Sequence, residues 1–330
     1  MHIFLRYPLV LLVFIACSND DTNLSIDTSI EIPIVQSSQL YNVIVEEDIE
    51  YGQGLSHEEI NSENSTTVPL KLDVYVPEND QESRPAFMFI HGGGFIGGSK
   101  QQSQIINFAN FFTSRGWVFI SVDYRLRDDK GTVPEAWNDY SSLLEPSQTS
   151  QFMAIYPAQR DAKAALRWIV ANSDTYNINT DFITVGGGSA GAISAISLGI
   201  SEEEDFRDEL NISQDPTLES TNLDQSYKVQ TIIDLWGSKV ALDLHEDIYG
   251  NDHFDGNDPP LFIVHGTEDP TVLFSNAEEL KSIYETIGVP LAYYPIEGGG
   301  HGVWNATVNN KRLEQLAFDF ITQQQNLVVQ

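Results

Sequence analysis

Apolar residues follow different rhythms in different parts of the chain. Asn42 to Ile49 and Leu70 to Val76 (Leu-Lys-Leu-Asp-Val-Tyr-Val) alternate apolar with polar positions, the pattern of half-buried antiparallel strands. Short, nearly unbroken apolar runs then recur at 86–90, 117–122, 182–185, 231–236 and 261–264, and 291–296 reads as a last strand. Strands without alternation are buried on both faces, which predicts a mostly parallel sheet covered by helices. Helical spacing of three and four residues marks Gln104 to Ser114 and Ala158 to Ala171. Ala190 to Ile200 is more uniformly apolar, and Ala277 to Ile287 and Arg312 to Gln323 complete the set. Strands alternating with helices imply right-handed crossovers, so the fold class is α/β with helices on both faces and antiparallel strands at its N-terminal side.

Two segments break the alternation. Residues 127–156 are polar with scattered aromatics, and 201–228 hold nine acidic residues against Arg207 and Lys228. Both read as insertions, and long insertions in a compact domain tend to be lids or binding loops.

Arg6 precedes the apolar run Leu9 to Ala16, and Cys17 follows it. The run is shorter than the roughly 20 residues a membrane-spanning helix needs, and it fits the apolar region of a secretory signal peptide. Phe14-Ile15-Ala16-Cys17 resembles a bacterial lipobox, which implies lipidation of Cys17. The expected organisation is a signal peptide over 1–16, lipidated Cys17 and a flexible stalk over 17–40, and one domain over 41–330. Export follows, with lipid anchoring to a bacterial outer membrane, or else a periplasmic or secreted protein. Cys17 is the single cysteine, so no internal disulfide is expected.

Charge narrows the partners. The 330 residues carry 48 acidic and 17 basic side chains, a formal net charge of −31. Such a surface repels phosphate backbones and anionic membranes, so no nucleic-acid partner is expected and membrane contact is expected only through the N-terminal anchor.

Chemistry concentrates in glycine-rich turns. Gly187-Gly188-Ser189-Ala190-Gly191 is a G-x-S-x-G sequence between the strand at 182–185 and the apolar helix after it. That context presents a serine hydroxyl at a tight strand-to-helix turn, beside a helix N-terminus that favours negative charge. It matches neither a dinucleotide-binding G-x-G-x-x-G nor a P-loop, which would carry a lysine. His91-Gly92-Gly93-Gly94-Phe95 follows the strand at 86–90 and brings backbone N–H groups to a reacting carbonyl, together with the N–H of the residue after the nucleophile.

A serine nucleophile needs a base and an orienting carboxylate. Among seven histidines, His301 lies in Gly298-Gly299-Gly300-His301-Gly302 after the last strand and is the expected base. His91 is expected to organise its own loop. The acid comes from His265-Gly266-Thr267-Glu268-Asp269-Pro270, with Asp269 preferred over Glu268. The order Ser189, Asp269, His301 is that of α/β-hydrolases. No His-Glu-x-x-His spacing occurs and no cofactor or metal is expected; Asn251 to Asp258 reads as an acidic polar loop without an EF-hand pattern.

From about Leu70 to Phe320 the chain resembles hormone-sensitive-lipase-like and acetyl-xylan- or feruloyl-esterase-like α/β-hydrolases. The resemblance rests on Leu72 to Pro77, His91 to Phe95, Asp123-Tyr124-Arg125-Leu126, Gln159 to Trp168, Gly187 to Gly191, His265 to Asp269 and Gly300-His301-Gly302. It implies oxyanion donors at Gly93, Gly94 and Ala190, and a structural turn at Asp123 to Arg125. The implied activity is hydrolysis of short-acyl carboxylic esters through an acyl-enzyme, extending to carbohydrate deacetylation or feruloyl ester cleavage. A lipase, a serine peptidase of the same fold and a non-catalytic glycan-binding lipoprotein are the alternatives. Oligomeric state is not legible.

Overall fold

Ala86 to Ile90 are all buried, and so are Val118 to Val122 and Leu261 to Gly266, because each of these strands has helices on both sides. The computed structural model describes residues 31–330, of which Ile32–Gln330 form one compact unit. Strand β1 (Ile34–Val35) precedes a long hairpin of β2 (Val43–His57) and β3 (Ser65–Pro77). Then come β4 (Arg84–Ile90), α1 (Ser103–Thr113), β5 (Val118–Val122), α2 (Glu135–Ser141), α3 (Pro146–Ala171), α4 (Ser173–Tyr176), β6 (Ile178–Gly188) and α5 (Ala190–Ile200). The chain continues through β7 (Thr231–Leu235), α6 (Val240–Tyr249), β8 (Leu261–Gly266), α7 (Ser275–Ile287) and β9 (Leu291–Ile296). It closes with β10 (Thr307–Val308), β11 (Lys311–Arg312), α8 (Leu313–Gln324) and β12 (Val328–Val329).

The main sheet has eight strands in the order β2-β3-β5-β4-β6-β7-β8-β9. The β2–β3 and β3–β5 pairs are antiparallel and all later pairs parallel, the arrangement the patterning predicts. Side chains leave β4 alternately. Ala86, Met88 and Ile90 join the core under α3 and α5, while Phe87 and Phe89 join the core under α1 and α8. The strand order reverses at β4, whose sequence neighbour β5 lies on one side and β6 on the other. Chain connections leave the carboxyl ends of β4 and β6 in opposite directions there, and such a switch point opens a crevice. His91 follows β4 and Ser189 follows β6, so both glycine motifs meet at it.

Several expectations are corrected. The flexible stalk expected to residue 40 ends earlier, since Ile34–Val35 pair in parallel with Val328–Val329 and Val35 is 0% exposed in the core under α1 and α8. The helix expected at 158–171 begins at Pro146, where the first turn needs no proline N–H. Pro157 lies inside it and lacks the N–H that a helix interior uses, which masked its N-terminal half in the sequence. Residues 127–156 are therefore largely helical, with Trp137 stacked on Phe152 at 4.8 Å. The segment 201–228 is turns and one short 3₁₀ stretch, Pro216–Ser220. Helix α6, absent from the sequence expectation, ends at Gly250 with φ of 81°, a left-handed cap that favours glycine. Among the described residues no helix is long and apolar enough to cross a membrane. The expectations for 1–16 and Cys17 lie outside the described residues.

Candidate active site

Strand β6 ends in a turn that forces Ser189 to φ 56° and ψ −122°, outside the regions ordinary for a residue with a side chain. Strain of this kind costs about 1–3 kcal/mol and persists only where surrounding structure imposes it. The Ser189 N–H donates to the Leu235 carbonyl at 2.9 Å, pinning the turn to β7. Close approach demands glycine at 191, where a Cβ would stand 2.0 Å from the Ile90 carbonyl oxygen. Helix α5 starts at Ala190 and is buried nearly throughout, so its positive end is aimed from within the fold at the Ser189 turn.

His301 lies in the loop after β9 and bridges two partners. Its Nε2 is 2.9 Å from Ser189 Oγ and its Nδ1 is 2.8 Å from Asp269 Oδ2. The Asp269 carboxylate is buried at the end of the loop after β8, and its Oδ1 accepts from the N–H groups of Thr271 at 2.8 Å and Val272 at 3.0 Å. An ionised carboxylate so held favours the tautomer with the proton on His301 Nδ1, leaving the Nε2 lone pair for the serine hydroxyl. Glu268 is exposed and its backbone N–H binds the Gly299 carbonyl at 2.8 Å, so its side chain is not in this line. His265 stands behind Asp269, with Nε2 2.8 Å from the Val272 carbonyl oxygen and 3.4 Å from Asp269 Oδ2. Burial pushes its pKa below the usual imidazole range, so it enters as a neutral donor to that carbonyl.

The glycine loop after β4 lies directly against the Ser189 turn: a Cβ on Gly92 would be 2.5 Å from the Gly188 carbonyl oxygen. Gly93, Gly94 and Phe95 all have positive φ, which curls the loop so that the Gly93 carbonyl accepts from Ile96 and Gly97. Among the described residues no acceptor takes the N–H groups of Gly93, Gly94 or Ala190. Unsatisfied amides at a crevice are what an oxyanion requires. His91 stacks on Tyr124 at 4.4 Å and its Nδ1 is 2.8 Å from the Gly92 carbonyl oxygen. Burial pushes its pKa down, and it organises the loop rather than facing Ser189.

The turn at Asp123 to Arg125 braces the same loop. Asp123 accepts the Lys100 N–H at 2.6 Å, and Arg125 makes a buried two-pronged contact with Asp161 on α3, the shortest distance being 2.6 Å. Three further residues at the site escaped the sequence reading. Gln151, on the half of α3 that Pro157 obscured, donates from Nε2 to the Gly94 carbonyl at 2.8 Å. Trp236 and Trp304 pack edge to face at 4.8 Å, with the Trp236 ring 6.5 Å from His301. Isolated tryptophans carry no motif, so only the fold could bring them here. The grouping Asp205, His245 and His253 also has no sequence signature, yet one ligand-type atom from each lies within 4.8 Å of the others.

A doubly wound sheet with a strained serine turn, a His–Asp pair after its last strands and a glycine loop at its switch point defines an α/β-hydrolase. The BD-FAE family profile matches residues 72–145 and 146–253, more than half of the chain, and the chain belongs to this family of α/β-hydrolase esterases. Among curated proteins it is similar to Esterase LipC of Mycobacterium tuberculosis, 22% identical over 254 residues, covering 70% of this chain and 56% of that protein. Gut esterase 1 of Caenorhabditis briggsae is 32% identical over 132 residues, covering 40% of this chain and 21% of that protein. The chain thus spans little more than half of one of these relatives and about a fifth of the other. Among solved structures, the propionate-bound esterase Est2 of Thermogutta terrifontis superposes with a TM-score of 0.58 at 22% identity, over 82% of this chain and 94% of that one. A truncated carbohydrate esterase from gut microbiota gives 0.53 at 18% identity, over 88% and 99%. At such identities the likeness is one of fold.

Proposed function

We propose that the protein is a serine carboxylesterase that hydrolyses short-acyl carboxylic esters through an acyl-enzyme. The observation that carries this is the unbroken line Ser189 Oγ–His301 Nε2 (2.9 Å) and His301 Nδ1–Asp269 Oδ2 (2.8 Å) beneath a loop of unused amides. In this reading Ser189 attacks the ester carbonyl while His301 takes its proton, and Asp269 stabilises the imidazolium. The N–H groups of Gly93, Gly94 and Ala190 hold the oxyanion. His301 then returns the proton to the leaving alkoxide, and water, deprotonated by the same imidazole, cleaves the acyl-enzyme. Relatives named as esterases support the reaction class.

The net charge of −31 disfavours anionic esters by lowering their local concentration. Acetyl and butyryl esters, acetylated polysaccharide among them, are the proposed substrates, with feruloyl esters of polysaccharide as a further class. A nitrophenyl ester series from acetyl to decanoyl tests this: kcat/KM should be highest at two to four carbons, and a monotonic rise to long chains would make the protein a lipase. The proposal for cellular placement is export with a lipid on Cys17, supported by the Leu9 to Ala16 run and the adjoining cysteine. Mass spectrometry of the mature N-terminus from a Gram-negative host tests it, since an unmodified N-terminus beyond Cys17 rules the anchor out.

A further inference from the structure

Two segments remote from one another in the sequence, the acidic insertion and α6 with the loop after it, converge beside α3. Asp205 comes from the acidic insertion, His245 from the middle of α6, and His253 from the loop after it. Asp205 Oδ1 lies 3.7 Å from His245 Nε2 and its Oδ2 lies 3.5 Å from His253 Nδ1. Both separations are too long for good hydrogen bonds. They are close to the roughly 3.4 Å edge between neighbouring ligands of a tetrahedral ion bound at about 2.0–2.1 Å.

The side chains of His245, His253 and Asp205 are 1%, 3% and 10% exposed, so bulk water does not solvate them freely. The His253 imidazole makes no hydrogen bond: its Nδ1 points at the Asp205 carboxylate across 3.5 Å, and its Nε2 has no partner among the described residues. A buried polar ring aimed at a carboxylate it does not reach is an unsatisfied group. Glu209 stands beside the cluster as a hydrogen-bond acceptor, taking the His245 Nε2 proton at 2.8 Å, the Phe206 N–H at 3.1 Å and the Tyr156 hydroxyl at 3.0 Å.

We propose that Asp205, His245 and His253 form a three-ligand site for a zinc-type divalent cation. Two imidazoles and one carboxylate suit zinc and its first-row neighbours, whereas calcium and magnesium prefer oxygen alone. Asp205 supplies one ligating negative charge, and Glu209 stands next to His245. Lys163, buried on α3 and bonded to the Glu202 carbonyl, lies near Asp205 and Glu209, and burial pushes its pKa down to about 7. Each ring binds as neutral imidazole: the proton that His245 Nε2 shares with Glu209 moves to Nδ1, which has no partner among the described residues, and the freed Nε2 lone pair meets the metal. The ion would clip the acidic insertion 201–228 to α6, the helix that follows Trp236, and takes no part in ester cleavage.

The test uses the tag-free chain, dialysed against chelator and then titrated with Zn²⁺, Mg²⁺ or Ca²⁺. Metal content after gel filtration and thermal unfolding are the readouts. One equivalent of zinc per chain and a Tm rise of about 3 °C or more are expected with zinc, and neither with magnesium or calcium. His253→Ala and Asp205→Asn should each lose the retained equivalent and the Tm rise, while nitrophenyl acetate hydrolysis stays within about twofold. If one variant fails to fold, the other carries the comparison. Failure of the unaltered chain to retain zinc overturns the proposal, as does full retention in either variant.

Discussion

His301 and His245 each stand 2.8 Å from a carboxylate oxygen, yet the two rings are equipped for different chemistry. His301 has a distinct partner on each nitrogen, running from the buried Asp269 to the Ser189 hydroxyl, and its side chain is 25% exposed. That is a line along which a proton can move and whose end a substrate can reach. His245 is 1% exposed, lies mid-helix, and shares Asp205 with a second imidazole, His253. Proton transfer needs unlike groups in series. Cation binding needs lone pairs that converge. Backbone explains the placement, since His301 stands in a glycine-rich loop with Gly298 and Gly302 at positive φ, while His245 is fixed on α6.

The largest expected effect tests the serial line. Ser189→Ala and His301→Ala should keep the fold by circular dichroism and lose at least about 10⁴-fold in kcat, because such residues act as one unit. A tenth of the activity surviving in either would break the comparison. One step smaller, Asp269→Asn should cost about 10³- to 10⁴-fold by presenting the wrong imidazole tautomer, whereas Glu268→Gln should stay within about twofold. Steady-state kinetics on the pair decides, and a worse result for the Glu268 variant would reassign the acid.

A third prediction contrasts two buried carboxylates. Asp269 accepts from two amides and an imidazole, while Asp234 on β7 accepts from the Gly237 N–H alone, at 2.6 Å. Burial pushes the Asp234 pKa up to about 7, opposed only by that amide. The folded chain therefore holds a proton that the unfolded chain, with an ordinary carboxyl near about 3.9, releases. This contribution to stability is lost as pH rises from about 4 to about 7 and is gone above. Asp234→Asn removes the titration, so its Tm relative to the parent should climb by a few degrees between pH 5 and pH 8. A Tm gap that does not change with pH would contradict the assignment. The smallest effect belongs to Gln151→Ala, which frees the Gly94 carbonyl from one neutral hydrogen bond. A loss of about 2- to 10-fold in kcat/KM without change in Tm is expected, and an unchanged kcat/KM would mean the loop holds its shape unaided.

Much of this is legible in the sequence alone. Two-face burial showed in the unbroken runs at 86–90 and 261–264, and the alternation at Leu70 to Val76 foretold antiparallel β3. Ser189, His301 and the glycine loop announced themselves because tight turns need glycine locally, and local demands are written in adjacent residues. The preference for Asp269 over Glu268 had less support in sequence; burial and two amide donors separate these neighbours in space. Other features had no local mark. The N-terminal half of α3 hid behind Pro157, and Val35 looked like stalk because the strand it pairs with lies at the far end of the chain. Gln151, Trp236 and Trp304 reach the site, and Asp205 reaches His245 and His253, only through the order in which eight strands lie side by side. Periodicity and glycine spacing report what a residue does with its near neighbours. Which distant side chains share a crevice depends on strand order and crossover direction, and those are properties of the packed sheet as a whole.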